Sequence, residues 1–432
     1  MTRTHLPGPD VASQPKIEIQ LVGQQPRIVN SYTTGDQIDG TVIITVEQET
    51  PLDDVQIVLQ VDANNTGSSH TTIDHVPCGC IESEHIFLEL RQTIEETEYL
   101  LPEVLHPACS YLFPFAFVVP DRLLPQACTH SLTNPHVHRA HTMLPPTLGD
   151  PMLSSDGQTL LDDMASDMSR ISYIIGVAVL RKSSTDHRQL EYLATHAKKV
   201  RIIPIVEEGP PINVVDHPYY CTSKVKTGRH GPLRTKLGRL LASSSQPKPI
   251  RLLPPGYSGD KVSTVAIVQL RFDPVGNEQP PRLGSITSKL KASTFYGATP
   301  WADFPCQSGA ILSGQGGQCV FTKSIPLLTM CVSSAEWEKH SASSNSDHPN
   351  SIHLVTSRNS DDPSVSFCKD EYYTTSVIVP ITIPNSKTFV STFHSCLISR
   401  TYSLDLSLTY HTPGMNILKP TISLCVPIQI IT

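Results

Sequence analysis

Residues 171–180 read ISYIIGVAVL, and the reading of that stretch decides the fold. Ile171, Tyr173, Ile175, Val177 and Val179 fall on every second position. A period of two sends those side chains to one face of an extended strand, whereas a helix would align residues three and four apart. The same alternation recurs in Ile17, Ile19 and Leu21, in Val55, Ile57, Leu59 and Val61, and in Phe113, Phe115 and Phe117. In the second half it returns in Val377 to Ile383, in Leu404, Leu406 and Leu408, and from Ile422 to Ile430. Turn residues punctuate these runs, as in Thr412-Pro413-Gly414. One stretch departs from the rule. Residues 158–168 (QTLLDDMASDM) place Leu160, Leu161, Met164 and Met168 near one helical face, which predicts a short helix.

The class expected is all-β, and two sandwiches fit 432 residues better than one large barrel. Proline supports this, because 37 prolines are incompatible with long helices. Pro, Ser and Gly between 243 and 260 mark the joint, which sets a first domain at 15–253 and a second at 254–432, after a flexible start at 1–14. Residues 127–170 lack periodicity and read as an insertion. Residues 338–364 are dominated by Ser, Asn and Asp and read as a mobile loop.

Composition narrows the function. A net charge of -7 repels nucleic acid as a whole, and no aromatic residues interleave with the local cations as stacking platforms would require. The opening MTRTHLPGPD has no apolar run of a secretory signal, and no stretch of eighteen apolar residues occurs. The expectation is a cytoplasmic chain whose eleven cysteines are mostly free, buried thiols. In that setting the Asn64-Asn65-Thr66 sequon carries little meaning.

No catalytic pattern emerges. Gly314, Gly316 and Gly317 lack the spacing and strand-to-helix context of a phosphate loop, and there is no nucleophile elbow or H-E-x-x-H helix. His136, His138 and His141 could approach zinc, but without a matching cysteine pair they read as a solvated loop, and Cys78-Gly79-Cys80 reads as a turn. The chain is therefore expected to be non-enzymatic, with no cofactor and no metal.

Two local signals remain. Pro254-Pro255-Gly256-Tyr257 is a PPxY tetrad, in which Pro254 and Pro255 favour the polyproline helix accepted by WW domains and Tyr257 would fill the adjoining pocket. The same residues would also serve as a spacer, with Tyr257 packed on the second domain. From 218 to 259 there is no Asp or Glu, while Lys224, Lys226, Arg229, Arg234, Lys236, Arg239, Lys248 and Arg251 are all basic. Such a segment suits an anionic membrane surface or a phosphorylated tail, and a solvated loop equally.

The order of segments resembles the arrestin family. "YTTGDQIDGTVII" and "LDDVQIVLQV" are similar to the first strands of its amino-terminal domain, and "YLFPFAFVVPDRLLP" to a later segment there. "ISYIIGVAVLRK", "TKLGRLL" and "QPKPIRL" follow in the order seen in fungal arrestin-like proteins. "VQLRFDP", "PPRLGSITSKLKAST", "SRTYSLDLSLTY" and "LCVPIQI" resemble their carboxy-terminal domain. The resemblance implies two immunoglobulin-like β-sandwiches in tandem and an α-arrestin type of adaptor. Such proteins bind cytoplasmic segments of integral membrane proteins and recruit a WW-domain, HECT-type ubiquitin ligase through PPxY peptides. Cargo is then ubiquitylated and internalised at the plasma membrane or endosomes. The chain departs from that pattern in carrying one tetrad, and with its last strand at the end of the sequence it is expected to lack the long tail in which such peptides commonly lie. A sorting scaffold of the same fold without ligase recruitment is the alternative.

Overall fold

A computed structural model describes residues 14–24, 29–68, 80–92, 102–152, 160–183, 189–211, 219–230, 235–253, 263–306, 317–341, 371–412 and 420–432, with backbone alone at 62–68, 80–85, 229–230 and 235–236. The alternating segments are strands, and the molecule is mostly β-sheet. The first half supplies β1 (Lys16–Leu21), β2 (Gln37–Thr45), β3 (Asp54–Ser68), β4 (Cys80–Arg91), β5 (Ser110–Val118), β6 (Ser169–Lys182) and β7 (Leu190–Ile202). One sheet runs β1-β2-β5; the other runs β7-β6-β3-β4, with Ser31–Tyr32 added parallel to β7. Side chains from both sheets, among them Ile19, Ile44, Ile57, Phe115 and Ile175, form a single buried cluster.

Two glycines show how the local sequence sets this geometry. Gly35 sits at φ +84, a left-handed value that glycine adopts without strain, while the Asp36 carboxylate accepts the Thr33 N–H at 2.8 Å. That turn launches β2. At Gly40 a Cβ would stand 2.4 Å from the Phe115 ring and 2.5 Å from the Gln20 carbonyl, so only glycine lets β5 close on β2 here.

The second half supplies β8 (Ser223–His230), β9 (Thr235–Ser243), β10 (Ser263–Pro274), β11 (Arg282–Gly297), β12 (Gln318–Cys331), β13 (Glu338–Ser341), β14 (Glu371–Thr382), β15 (Phe393–His394), β16 (Ile398–His411) and β17 (Thr421–Ile428). One sheet runs β8-β9-β10-β14-β13, the other β12-β11-β16-β15 with β17 also on β16. Leu270, Val379, Leu404 and Val426 lie in their common core.

Several expectations change. β9 pairs with β10 and β8 with β9, and Ile250 and Arg251 pair with Ile430 and Ile431. By hydrogen bonding the break between halves therefore precedes Ser223 instead of falling at 253. Residues 160–168 form no helix. The side chains of Asp162, Asp163 and Ser166 accept the N–H groups of Met164, Ala165 and Met168, which diverts the backbone from helical bonding. Met164 adopts φ +60 and is buried in the second core. The described part of 127–170 is packed structure and not a solvated insertion. It contains a helix, α1 (Pro135–His141), started by the Asn134 side chain and by proline in the first turn. Leu144 and Leu148 are buried, and the Tyr173 hydroxyl donates to the Pro145 carbonyl. Glu338–Ser341 belong to β13, while 342–364 lie outside the described residues, as do residues 1–13 of the N-terminal segment.

The halves meet along a buried seam. Val390, Phe393, Leu397 and Ile398 join the first core although they come from the second half. Across the seam Lys387 pairs with Asp162, and the fully buried Arg400 donates to the Asp163 carbonyl at 3.1 Å. The same region holds the half-buried Arg201, whose guanidinium loses basicity to desolvation against the opposing charge of Asp163.

Candidate functional site

Pro254, Pro255 and Tyr257 lie outside the described residues. Of the basic segment, Arg234 also lies outside them, and Arg229 and Lys236 are described in backbone only. Lys224 is exposed on β8, while Lys226 turns back to donate to the Thr421 carbonyl. Arg239 is not free. It faces Asp273 directly across the β9–β10 pair and bonds its carboxylate at 3.1 and 3.3 Å. Arg271 bonds the same carboxylate at 2.7 Å. Lys248 and Arg251 are exposed, and Arg251 donates to the Thr432 carbonyl at 3.2 Å. A window of sequence with no acid next to eight bases thus acquires an acid from the neighbouring strand. The described cations make a weaker field than the sequence implied.

A second feature was not legible in the sequence. β1 is an edge strand, paired on one side only among the described residues. Beside it runs an open groove of about 480 Å³, lined by β1 and by His196 and Lys198 of β7. Ile17, Ile19 and Leu21 send their side chains into the core. The Ile19 carbonyl faces outward, because it accepts the Lys198 Nζ at 2.5 Å. Backbone direction alternates along a strand, so the N–H and C=O of Ile17 point the same way.

The charge of the groove is mixed, with a cationic side. Lys16 and His196 are exposed, and Lys198 is half-buried. Burial lowers the Lys198 ammonium pKa and the Glu18 charge raises it, the first effect being larger. Glu18 also accepts from Gln20 at 2.7 Å, which leaves its carboxylate partly satisfied along the strand. The groove therefore combines a backbone edge that no other described strand pairs, and which can bond an extended chain, with a lysine that already holds a carbonyl there. No nucleophile–base pair lines it.

The three histidines singled out in the sequence separate. His136 is exposed and His138 half-buried, whereas His141, at the end of α1, is buried where Cys128, His130 and Cys396 converge. The sequence reading paired these histidines with no cysteine, although Cys128 lies thirteen residues before His141; the second cysteine, Cys396, comes from the other half.

The chain matches no known family model, and no curated protein matches it in sequence. Among the described residues no helix is long and apolar enough to cross a membrane.

Proposed function

We propose that this chain is a non-enzymatic adaptor of arrestin-like type, built as two immunoglobulin-like β-sandwiches in tandem, that captures cytoplasmic segments of integral membrane proteins. The ordered motifs quoted above support the family reading. The observation that carries the capture reading is the open β1 edge beside Lys198. An extended peptide adding to that edge gains backbone hydrogen bonds, and the adjacent cations select acidic or phosphorylated residues. Lys198 is suited to the role because it can exchange the Ile19 carbonyl for a phosphate, to which its bond is charge-assisted on both sides. The exposed Lys224, Lys248 and Arg251 add a modest attraction to an anionic membrane surface. Pro254, Pro255 and Tyr257 would hand the captured cargo to a WW-domain ubiquitin ligase. A cytoplasmic protein recruited transiently to the plasma membrane or endosomes follows from these partners.

The test is fluorescence titration with extended serine-containing peptides, phosphorylated and not, against wild type and a Lys16→Glu/Lys198→Glu variant. Tighter binding of the phosphorylated peptide, lost in the variant and weakened by salt, is the expected result. Equal affinity of both peptides for both proteins would remove the groove from the mechanism. Tyr257→Ala supplies the ligase arm: it should abolish WW-domain binding and leave the melting temperature nearly unchanged. A parent protein that never binds a WW domain favours the sorting scaffold.

A further inference from the structure

Cys128, His130, His141 and Cys396 place one ligand atom each within 4.8 Å of one another. We infer that these four side chains form a structural zinc site that pins α1 and the turn before it to the turn preceding β16. Nothing in the adaptor reading requires it, and it stands or falls separately.

Geometry comes first. Zinc bonds of about 2.3 Å to sulfur and about 2.0–2.1 Å to nitrogen, arranged tetrahedrally, put ligand atoms about 3.3–3.8 Å apart. The Cys128 sulfur lies 3.4 Å from His130 Nε2 and 3.7 Å from His141 Nδ1. These spacings already suit a shared ion, and since all four atoms lie within 4.8 Å of one another, a contraction of at most about 1–1.5 Å closes the rest.

The scaffold around the ligands is built to hold them. Cys128 ends the short turn Pro125–Ala127, and His130 follows two residues later. His141 is the last residue of α1, whose start is fixed by Asn134. Cys396 sits in a turn locked by Ser395: its hydroxyl donates to the Ile398 carbonyl at 2.7 Å and accepts the Ile398 N–H at 3.2 Å. Trp301 adds a third tie, its backbone N–H donating to the Cys396 carbonyl at 2.8 Å. Four ligands from three local structures are therefore positioned by bonds independent of any metal.

Burial and protonation agree. Cys128, His141 and Cys396 are buried, and only His130 reaches partway to solvent. Buried polar groups normally find partners, and the one that His141 Nδ1 has is the Cys128 sulfur at 3.7 Å, while its Nε2 has none. Desolvation, with His130 and His138 adding to it, lowers the His141 pKa to about 4, so the ring is the neutral imidazole that ligates metals. Desolvation first and the neighbouring Cys128 second push the Cys396 thiol up to about 12. A dication reverses that penalty, because a coordinating thiol is deprotonated outright. The reaction balances as two neutral imidazoles and two thiols plus Zn2+ giving a four-ligand complex and two protons. The product has no net charge, which suits an interior. All four positions are taken by protein, with none left for water or substrate, which is the pattern of structural and not catalytic zinc.

The site also explains why residues with no β periodicity hold a defined position. A single ion would tie the segment around 128–141, from the first half, to residue 396 of the second.

The experiment is metal analysis of the full chain purified without chelators, followed by X-ray absorption at the zinc edge. One zinc per chain, with two sulfur and two nitrogen neighbours, is expected, as is release of about two protons per ion when apoprotein is reloaded. Replacing zinc with Co2+ should give the intense visible bands of a tetrahedral site and a thiolate charge-transfer band. Cys128→Ser and Cys396→Ser should each abolish that spectrum, whereas Cys109→Ser, at an exposed cysteine, should preserve it. If the ligand variants fail to fold, the absorption spectrum of wild type decides alone. Zinc well below one per chain, a shell without sulfur, or a native mass two hydrogens short from a Cys128–Cys396 disulfide would each overturn the assignment.

Discussion

If the seam is a shared core, damage to the first half must be felt in the second. Ile44 on β2 is fully buried in the first cluster. Ile44→Ala removes three carbons from a site that cannot collapse freely, at a cost of about 2–5 kcal/mol. The chain offers a clean reporter, since its only two tryptophans are Trp301 and Trp337. Trp301 lies at the seam, with its indole N–H on the Leu397 carbonyl at 3.3 Å. Trp337 packs against the second core and donates to the Pro281 carbonyl at 3.1 Å. In a Trp301→Phe background the fluorescence therefore reports the second half alone. For a chain of this size the urea dependence is at least about 3 kcal/mol per M, so a 3 kcal/mol loss lowers the midpoint by up to about 1 M. Independent domains would show no shift at Trp337, which is the default for halves joined through a small interface. The expected result is that Ile44→Ala moves the Trp337 midpoint together with that of far-ultraviolet circular dichroism. A Trp337 transition unmoved beside an earlier dichroism transition would refute coupling through Val390, Phe393, Leu397 and Ile398.

Two further outcomes follow from ion pairs. The Asp162 carboxyl is held below its usual range chiefly by the hydrogen bond from Lys387 and also by the Met164 N–H, while burial opposes them. A depressed carboxylate stabilises the fold above its ordinary pKa, and the contribution disappears as pH falls through the folded value, so the window lies below about pH 4. Both side chains are partly exposed, which limits the effect to under about 1 kcal/mol. Asp162→Asn should melt lower than wild type at neutral pH and converge with it in acid; parallel melting curves would show that the pair is inert. Asp273→Asn, in turn, should remove the carboxylate charge that offsets Arg239 and Arg271 and strengthen cosedimentation with anionic vesicles. At about 1 kcal/mol per cation no longer offset this is at most roughly fivefold for each. Unchanged cosedimentation would mean that this face does not meet membranes.

The strands were legible because a half-buried sheet writes its two faces directly into alternate residues, as in Ile171 to Val179. What the sequence could not carry is which strand lies beside which. The expected short helix failed on that account only in part: Asp162, Asp163 and Ser166 sit where their own side chains compete for the backbone, a signal present in the residues and outweighed by apolar spacing. Arg239 is the purer case. Its partner Asp273 is more than thirty residues away, and no charge count over a local window can find it. The β1 groove is likewise a property of pairing, because an edge exists only once the neighbours of a strand are known.

The cysteine–histidine cluster shows the same limit in its most consequential form. Cys128 and His130 have a C-x-H spacing, and His141 follows within one helix, so three ligands were within reach of a local reading. A metal centre needs its ligands to close around a point, and the fourth comes from a turn in the other half. Its arrival depends on the seam, where Leu397 and Ile398 enter the first core and carry Cys396 with them. Burial of those neighbours places the sulfur, and the same burial raises the thiol and lowers the imidazole pKa values. The packing that buries Cys128, His141 and Cys396 is thus the packing that brings the ligands together. On this argument the zinc site and the shared core should fail jointly: Leu397→Ala, which replaces no ligand, should weaken cobalt binding along with stability. Full retention of the cobalt spectrum and affinity in Leu397→Ala would separate the two.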